Sequence, residues 1–226
     1  MSKFNFKIQI LEKILNFILP QRCLGCSKNG NLACEDCLLL APRCEKYLEN
    51  DTFAVFSYQN KFIKEVIKAL KYKGLTSLGA PLGQFIYNSV LEEISLEKIM
   101  QNDDPDDKIM IVPVPLHKDR LAKRGFNQSE EIARTFFELS DKNLFSFESD
   151  ALLRIKATES QVSVMDRKNR LKNLKGAFAV KYPEKIKGKT ILLVDDVITT
   201  GATIEECRDI LKRSGAKEVI AVAVAH

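Results

Sequence analysis

The chain of 226 residues is long enough for one good-sized domain and a small module. Its 45% hydrophobic and 29% charged residues make an ordinary globular composition and exclude a disordered or low-complexity protein. The net charge of +5 suits phosphate-bearing ligands or nucleic acid without demanding either.

Residues 4–19, FNFKIQILEKILNFIL, are strongly apolar. Glu12 and Lys13 interrupt the run, which is too short to span a bilayer, and PQRCLGC follows it in place of a small-residue cleavage site. Residues 1–19 therefore read as an amphipathic helix packed on the rest of the protein, with a membrane surface as the alternative. The expectation is a cytoplasmic protein with no membrane span.

Cys23-Leu-Gly-Cys26 and Cys34-Glu-Asp-Cys37 come next, two CxxC pairs with seven residues between them. Each turn can aim two thiolates at one point, and two turns complete a tetrahedral set for Zn²⁺. Disulfides or unpaired core thiols are the alternatives, and a cytoplasmic location argues against disulfides. Four thiolates leave no open coordination position, so the zinc would be structural. Gly25 is expected to serve the tight turn of the first knuckle. Cys44 is left over, because Tyr47 stands where a third CxxC needs its second cysteine. The module reads as residues 20–50, and an α/β domain as 51–226.

Within that domain, KFIKEVIKALKYKG (61–74) has the spacing of an amphipathic helix ending at Gly74. NDDPDD (102–107) reads as an exposed loop and SDKNLFSFESD (140–150) as a connection. IMIVPVP (109–115) reads as a buried strand entering a proline-fixed loop, and SEEIARTFFEL (129–139) as a helix with Ser129 as N-cap. KTILLVDDV, TIEECRDILKRSG and EVIAVAVA read as strand, helix and strand, with Cys207 on the apolar helix face and Gly215 closing the helix. This is a βαβ unit, so the sheet is expected to be parallel with helices on its faces.

The stretch ILLVDDVITTGAT (191–203) carries the chemistry. Ligands bind at the carboxyl edge of a parallel sheet. The loop Thr199-Thr200-Gly201-Ala202-Thr203 enters a helix whose free N–H groups and neighbouring hydroxyls suit a phosphate monoester. Gly201 is expected to let the backbone come close. Asp195 and Asp196 would repel a phosphate, but they suit the hydroxyls of a sugar diol. The loop thus reads as a grip for ribose 5-phosphate.

This stretch resembles the phosphoribosyl pyrophosphate (PRPP) signature of type I phosphoribosyltransferases. IVPVPLHKDRLAKRGFNQSEEIA (111–133), LLRIKATESQVSVMDRKNRLKNLKGAF (152–178) and the CxxC pairs together resemble the ComF family, associated with natural transformation competence. The resemblance runs from about residue 20 to the end; Tyr47 departs from members that carry a further cysteine pair. It implies the type I phosphoribosyltransferase fold, a Rossmann-like parallel sheet flanked by helices. It implies a pyrophosphate loop at Pro113-Val114-Pro115-Leu116-His117, with charge from Lys118, Arg120 and Arg124. It also implies a closing loop at 156–170 with Lys156, Thr158, Gln161, Arg167 and Arg170 as contacts. Mg²⁺ would accompany PRPP, bound through substrate oxygens and waters, and Asp195 and Asp196 would be catalytic in favouring positive charge at ribose C1. Thr199 stands where purine-salvage relatives carry a base-facing acid, which weakens the case for a purine acceptor. With Ser2 where amidotransferase relatives need a cysteine, glutamine-dependent amination is not expected of this chain alone. The implied partners are PRPP, single-stranded DNA, a ComF-type helicase and other competence proteins. The alternative to an enzyme is a non-catalytic PRPP sensor or a DNA-binding adaptor.

Overall fold

The computed structural model describes residues 21–44, 51–93, 108–157 and 174–226. The expected N-terminal helix, the NDDPDD segment, Tyr47, and Thr158, Gln161, Arg167 and Arg170 lie outside the described residues.

Five parallel strands form the central sheet in the order β1-β7-β6-β2-β3: β1 Thr52–Phe56, β2 Ile109–Pro113, β3 Phe145–Phe147, β6 Thr190–Val197 and β7 Glu218–Ala225. The two central strands are eight residues each and nearly wholly buried, as expected where helices cover both faces of a parallel sheet. Alternate residues of β6 serve the two faces: Leu192 and Val194 join one core cluster, Ile191 and Leu193 the other. The first cluster is closed by α2 (Lys61–Tyr72), α3 (Gly79–Glu93) and α5 (Gln128–Leu139). The second is closed by α7 (Ala202–Arg213) and by the antiparallel hairpin of β4 (Leu152–Arg154) and β5 (Phe178–Val180). Two short helices, α4 (Lys118–Arg124) and α6 (Pro183–Ile186), complete the domain.

Two expectations are corrected. The 140–150 segment is not a plain connection: it contains β3, paired in parallel with β2 through Ile109↔Phe145. Only Phe145, Ser146 and Phe147 are in the strand, too few for a readable alternation. The N-cap of α5 is Asn127, not Ser129; its side-chain oxygen accepts from the Ser129 N–H, which leaves the Ser129 hydroxyl for another partner. As expected, the buried strand within 109–115 gives way to the proline-fixed loop after Pro113, and the Val114 N–H still reaches the Val194 carbonyl at 2.9 Å. Cys207 lies in the core, fully buried.

The helices α3 and α5 pack so closely that a Cβ on Gly83 would stand 2.6 Å from both the Ile132 carbonyl oxygen and Thr135 Cβ. Backbone cannot yield as a side chain does. Gly83→Ala should therefore cost about 1–3 kcal/mol of stability, read as a lowered urea midpoint. An unchanged midpoint would show that α5 is not held this tightly.

Candidate functional site

The four cysteines converge as their spacing implies. Cys23 and Cys26 flank a knuckle, α1 (Glu35–Leu39) begins directly after Cys34, and Cys37 lies within that helix. All four sulfur atoms lie within 4.8 Å of one another, and Cys26 and Cys34 are 3.6 Å apart. Tetrahedral Zn–S bonds of about 2.3 Å place sulfurs about 3.8 Å apart, so the donor set fits zinc. At Cys23, burial opposes the thiolate, but N–H donors of Cys34, Cys26 and Gly25 outweigh it and bring the pKa down to about 6. Cys37 is pushed up to about 12, by burial and by its three sulfur neighbours. Four thiolates cannot coexist here without a cation to offset them. Gly25 serves a different need from the expected turn: a Cβ there would lie 2.9 Å from Cys37 Sγ and 3.0 Å from the Phe62 ring of α2. Ala33, Leu38 and Ala41 of the module share a core cluster with α2 and β1.

The second site forms where β6 and β2 end. Gly201 adopts φ 78°, the left-handed conformation that glycine takes at little steric cost, and no side chain caps α7. Its role is this backbone angle, since nothing crowds the position of its absent Cβ. The Glu205 N–H donates to the Gly201 carbonyl at 2.9 Å, opening the intrahelical ladder. The first-turn N–H groups ahead of it have no carbonyl within the helix to reach, an arrangement that suits an anion.

The aspartates, expected to suit hydrogen-bond donors, already meet donors from the protein itself. They are 9% and 6% exposed and already engaged. Asp195 Oδ1 accepts from the Ser129 hydroxyl at 2.9 Å and from the Asp196 N–H at 2.8 Å. Asp196 accepts from the Gln128 amide at 3.3 Å and pairs with Lys71 Nζ at 3.0 Å. Burial and the adjacent Asp196 charge push Asp195 up to about 7, against Lys71 and its two hydrogen-bond donors. Burial would lower Lys71, but the Asp196 carboxylate outweighs it and holds the ammonium charged.

Lys71, Gln128 and Ser129 were missed by sequence reasoning. Lys71 had a signal: it lies four residues after the buried Ile67, on the inner edge of an amphipathic helix. A lysine there needs a carboxylate. Lys71→Met would leave Asp196 without its cation, and breaking such a pair costs about 3–5 kcal/mol when buried. The low end applies, since Lys71 keeps 22% exposure. Urea unfolding at pH 8 should report this loss; a wild-type midpoint would refute the role.

The segment 124–129, RGFNQS, joins the expected pyrophosphate loop to the acid pair. Asn127 caps α5 with its oxygen and donates to the Val114 carbonyl at 3.0 Å with its nitrogen. Gln128 and Ser129 then take one aspartate each. Gln128 is 2% exposed, and its Oε1 has no hydrogen-bond partner among the described residues. His117 is also engaged: its ring accepts from the Asp119 N–H and so caps α4. Arg124, depressed by burial against the pull of Asp196, lies 5.5 Å from the Tyr72 ring centre. Arg154, also missed, ends β4 beside His117, where burial and the charge of Arg120 depress it and Asp195 supports it. Pro115 and Leu116 continue the loop from Val114. Lys156 begins the expected closing loop, its amine donating to the Lys175 carbonyl at 3.3 Å across the loop's base.

Comparison with known proteins joins these observations. Residues 121–226, from α4 through the acid pair to the end of β7, match the phosphoribosyl transferase domain. Competence protein ComFC of Streptococcus pneumoniae is 30% identical over 201 residues, covering 88% of this chain and 78% of that protein. The chain belongs to the ComF family. DNA utilization protein YhgH of Escherichia coli K12 is 29% identical over 191 residues, covering 84% and 76% of the two chains. ComFC of Bacillus subtilis is 27% identical over 213 residues, 92% and 78%. The fold is that of a phosphoribosyltransferase domain, with a four-cysteine cluster near the N-terminus. No helix among the described residues is long and apolar enough to cross a membrane.

Proposed function

We propose that this ComF-family protein binds PRPP with Mg²⁺ and transfers its phosphoribosyl group, in a cell that takes up or uses DNA. The observation that carries the reading is the acid pair held beside an uncapped helix N-terminus. Asp195 and Asp196 take the ribose 2′ and 3′ hydroxyls, and the Thr199–Thr203 backbone takes the 5′ phosphate. The loop at 113–117, with Arg120 and Arg124, takes the pyrophosphate, and Lys156 with the loop that follows it covers the ligand. Mg²⁺, held mainly through substrate oxygens and waters, would supply charge to offset that of the leaving pyrophosphate. The four cysteines hold a structural Zn²⁺, and residues 20–50 and 51–226 act as module and catalytic domain. The link to DNA rests on the names of the relatives, competence protein and DNA utilization protein.

Isothermal titration with PRPP and Mg²⁺ tests the reading. Saturable heat, lost when Mg²⁺ is omitted, is expected. No heat and no protection against unfolding would remove it.

A further inference from the structure

We propose that His226 is the proton acceptor for the nucleophile that attacks ribose C1. The proposal rests on the PRPP reading. Displacement at carbon sets the entering and leaving groups on opposite sides of C1. The acid pair ends β6, whose two sheet neighbours are β2 and β7. The assigned pyrophosphate loop follows β2, so the nucleophile enters from the β7 side. The residue directly after β7 is His226.

His226 is held on three sides. Its N–H donates to the Phe56 carbonyl at 3.1 Å, its carbonyl accepts from the Tyr58 N–H at 2.7 Å, and its ring Nδ1 lies 3.1 Å from the Ile198 carbonyl oxygen. A carbonyl can only accept, so Nδ1 carries the hydrogen. In the neutral ring this leaves the Nε2 lone pair free to take a proton. Ile198 is two residues past Asp196, so the ring is tied to the very loop that holds the ribose. Residues 197–204, VITTGATI, contain no carboxylate and no imidazole. The two aspartates are already engaged with donors. His226 therefore supplies the base that this loop lacks.

The acceptor class is a nucleophile with an ionisable N–H. Its nitrogen lone pair forms the bond to C1, and the C1–O bond breaks with its electrons leaving on pyrophosphate. The N–H proton passes to His226 Nε2 and on to water. Tyr58, whose N–H meets the His226 carbonyl, is also among the groups that favour the charged form of Lys71.

The test compares zinc-replete wild type with His226→Gln, measuring pyrophosphate release from PRPP and Mg²⁺. Hydroxylamine serves as the N–H nucleophile and azide as one with no proton to lose. Release to hydroxylamine should fall by about 10²-fold or more, while release to azide stays within roughly threefold. Equal losses with both nucleophiles would mark His226 as structural and overturn the proposal, as would no loss or no release by wild type. Ring ¹⁵N spectra are simple in a chain with two histidines, and they should show the Nδ1–H tautomer; Nε2–H would overturn it too. Calorimetry with PRPP on both proteins separates the failures. Absent heat in both removes the donor reading, whereas normal heat with unsplit rates removes His226 alone.

Discussion

Asp195→Asn should give a protein that no longer binds PRPP yet resists unfolding better above pH 7. Burial and the Asp196 charge hold the Asp195 carboxyl at about 7 in the native state, against about 3.9 in an unfolded chain. The native state therefore keeps a proton that the unfolded state has released. This contribution is fully present below about pH 4 and is lost as the pH rises through about 7. Above pH 7 the folded protein carries a buried charge opposed by several kcal/mol, since each tenfold change in proton affinity corresponds to about 1.4 kcal/mol. Asparagine keeps an oxygen to accept from Ser129 and from the Asp196 N–H, and it abolishes the charge. The difference between variant and wild-type urea midpoints should be small at pH 4 and grow in the variant's favour towards pH 8. Parallel curves would show that Asp195 is not held at this value. The same variant should give no calorimetric signal with PRPP and Mg²⁺, since a neutral amide is a poorer acceptor for a diol. The site thus trades stability for a carboxylate placed out of water.

Removal of zinc should have the other large effect. The module between Gln21 and Cys44 has one short helix and a few buried residues, Ala33, Leu38 and Ala41 among them, that lean on α2. Structural zinc sites of this kind supply about 10–16 kcal/mol of apparent folding free energy. A chelator, or Cys26→Ser with Cys34→Ser, should unfold the module and expose the Phe62 side of α2. Because α2 also carries Lys71, amide exchange should speed up along Lys61–Tyr72 and PRPP binding should weaken. Chelation that leaves exchange on α2 unchanged, or four thiols that react freely in the presence of Zn²⁺, would sink this account.

The legible parts of this sequence were those where one short stretch contains both signal and answer. The unbroken apolar runs ILLV in β6 and VIAVAVA in β7 could be read directly as strands buried on both faces. The CxxC pairs and the TTGAT loop are likewise local. What stayed hidden depended on distant pairs. Nothing within VDDV indicates that Ser129, Gln128 and Lys71 meet it, 66, 68 and 125 residues away in the chain. The glycines show the same limit in another form. Gly25 was identified correctly as special, but its reason, the sulfur of Cys37 and the ring of Phe62, lies across space. Arg154 and the strand β3 were missed because three-residue strands carry no periodicity.

Asn127, Gln128 and Ser129 have a consequence for how this protein tolerates change. Three consecutive residues tie off the loop after β2 and both aspartates, with no slack between them. A screen of all single substitutions would find this tripeptide as intolerant as the acids themselves, even at positions that never meet a ligand. Compensation within the tripeptide would be rare, because repairing one tie displaces the next.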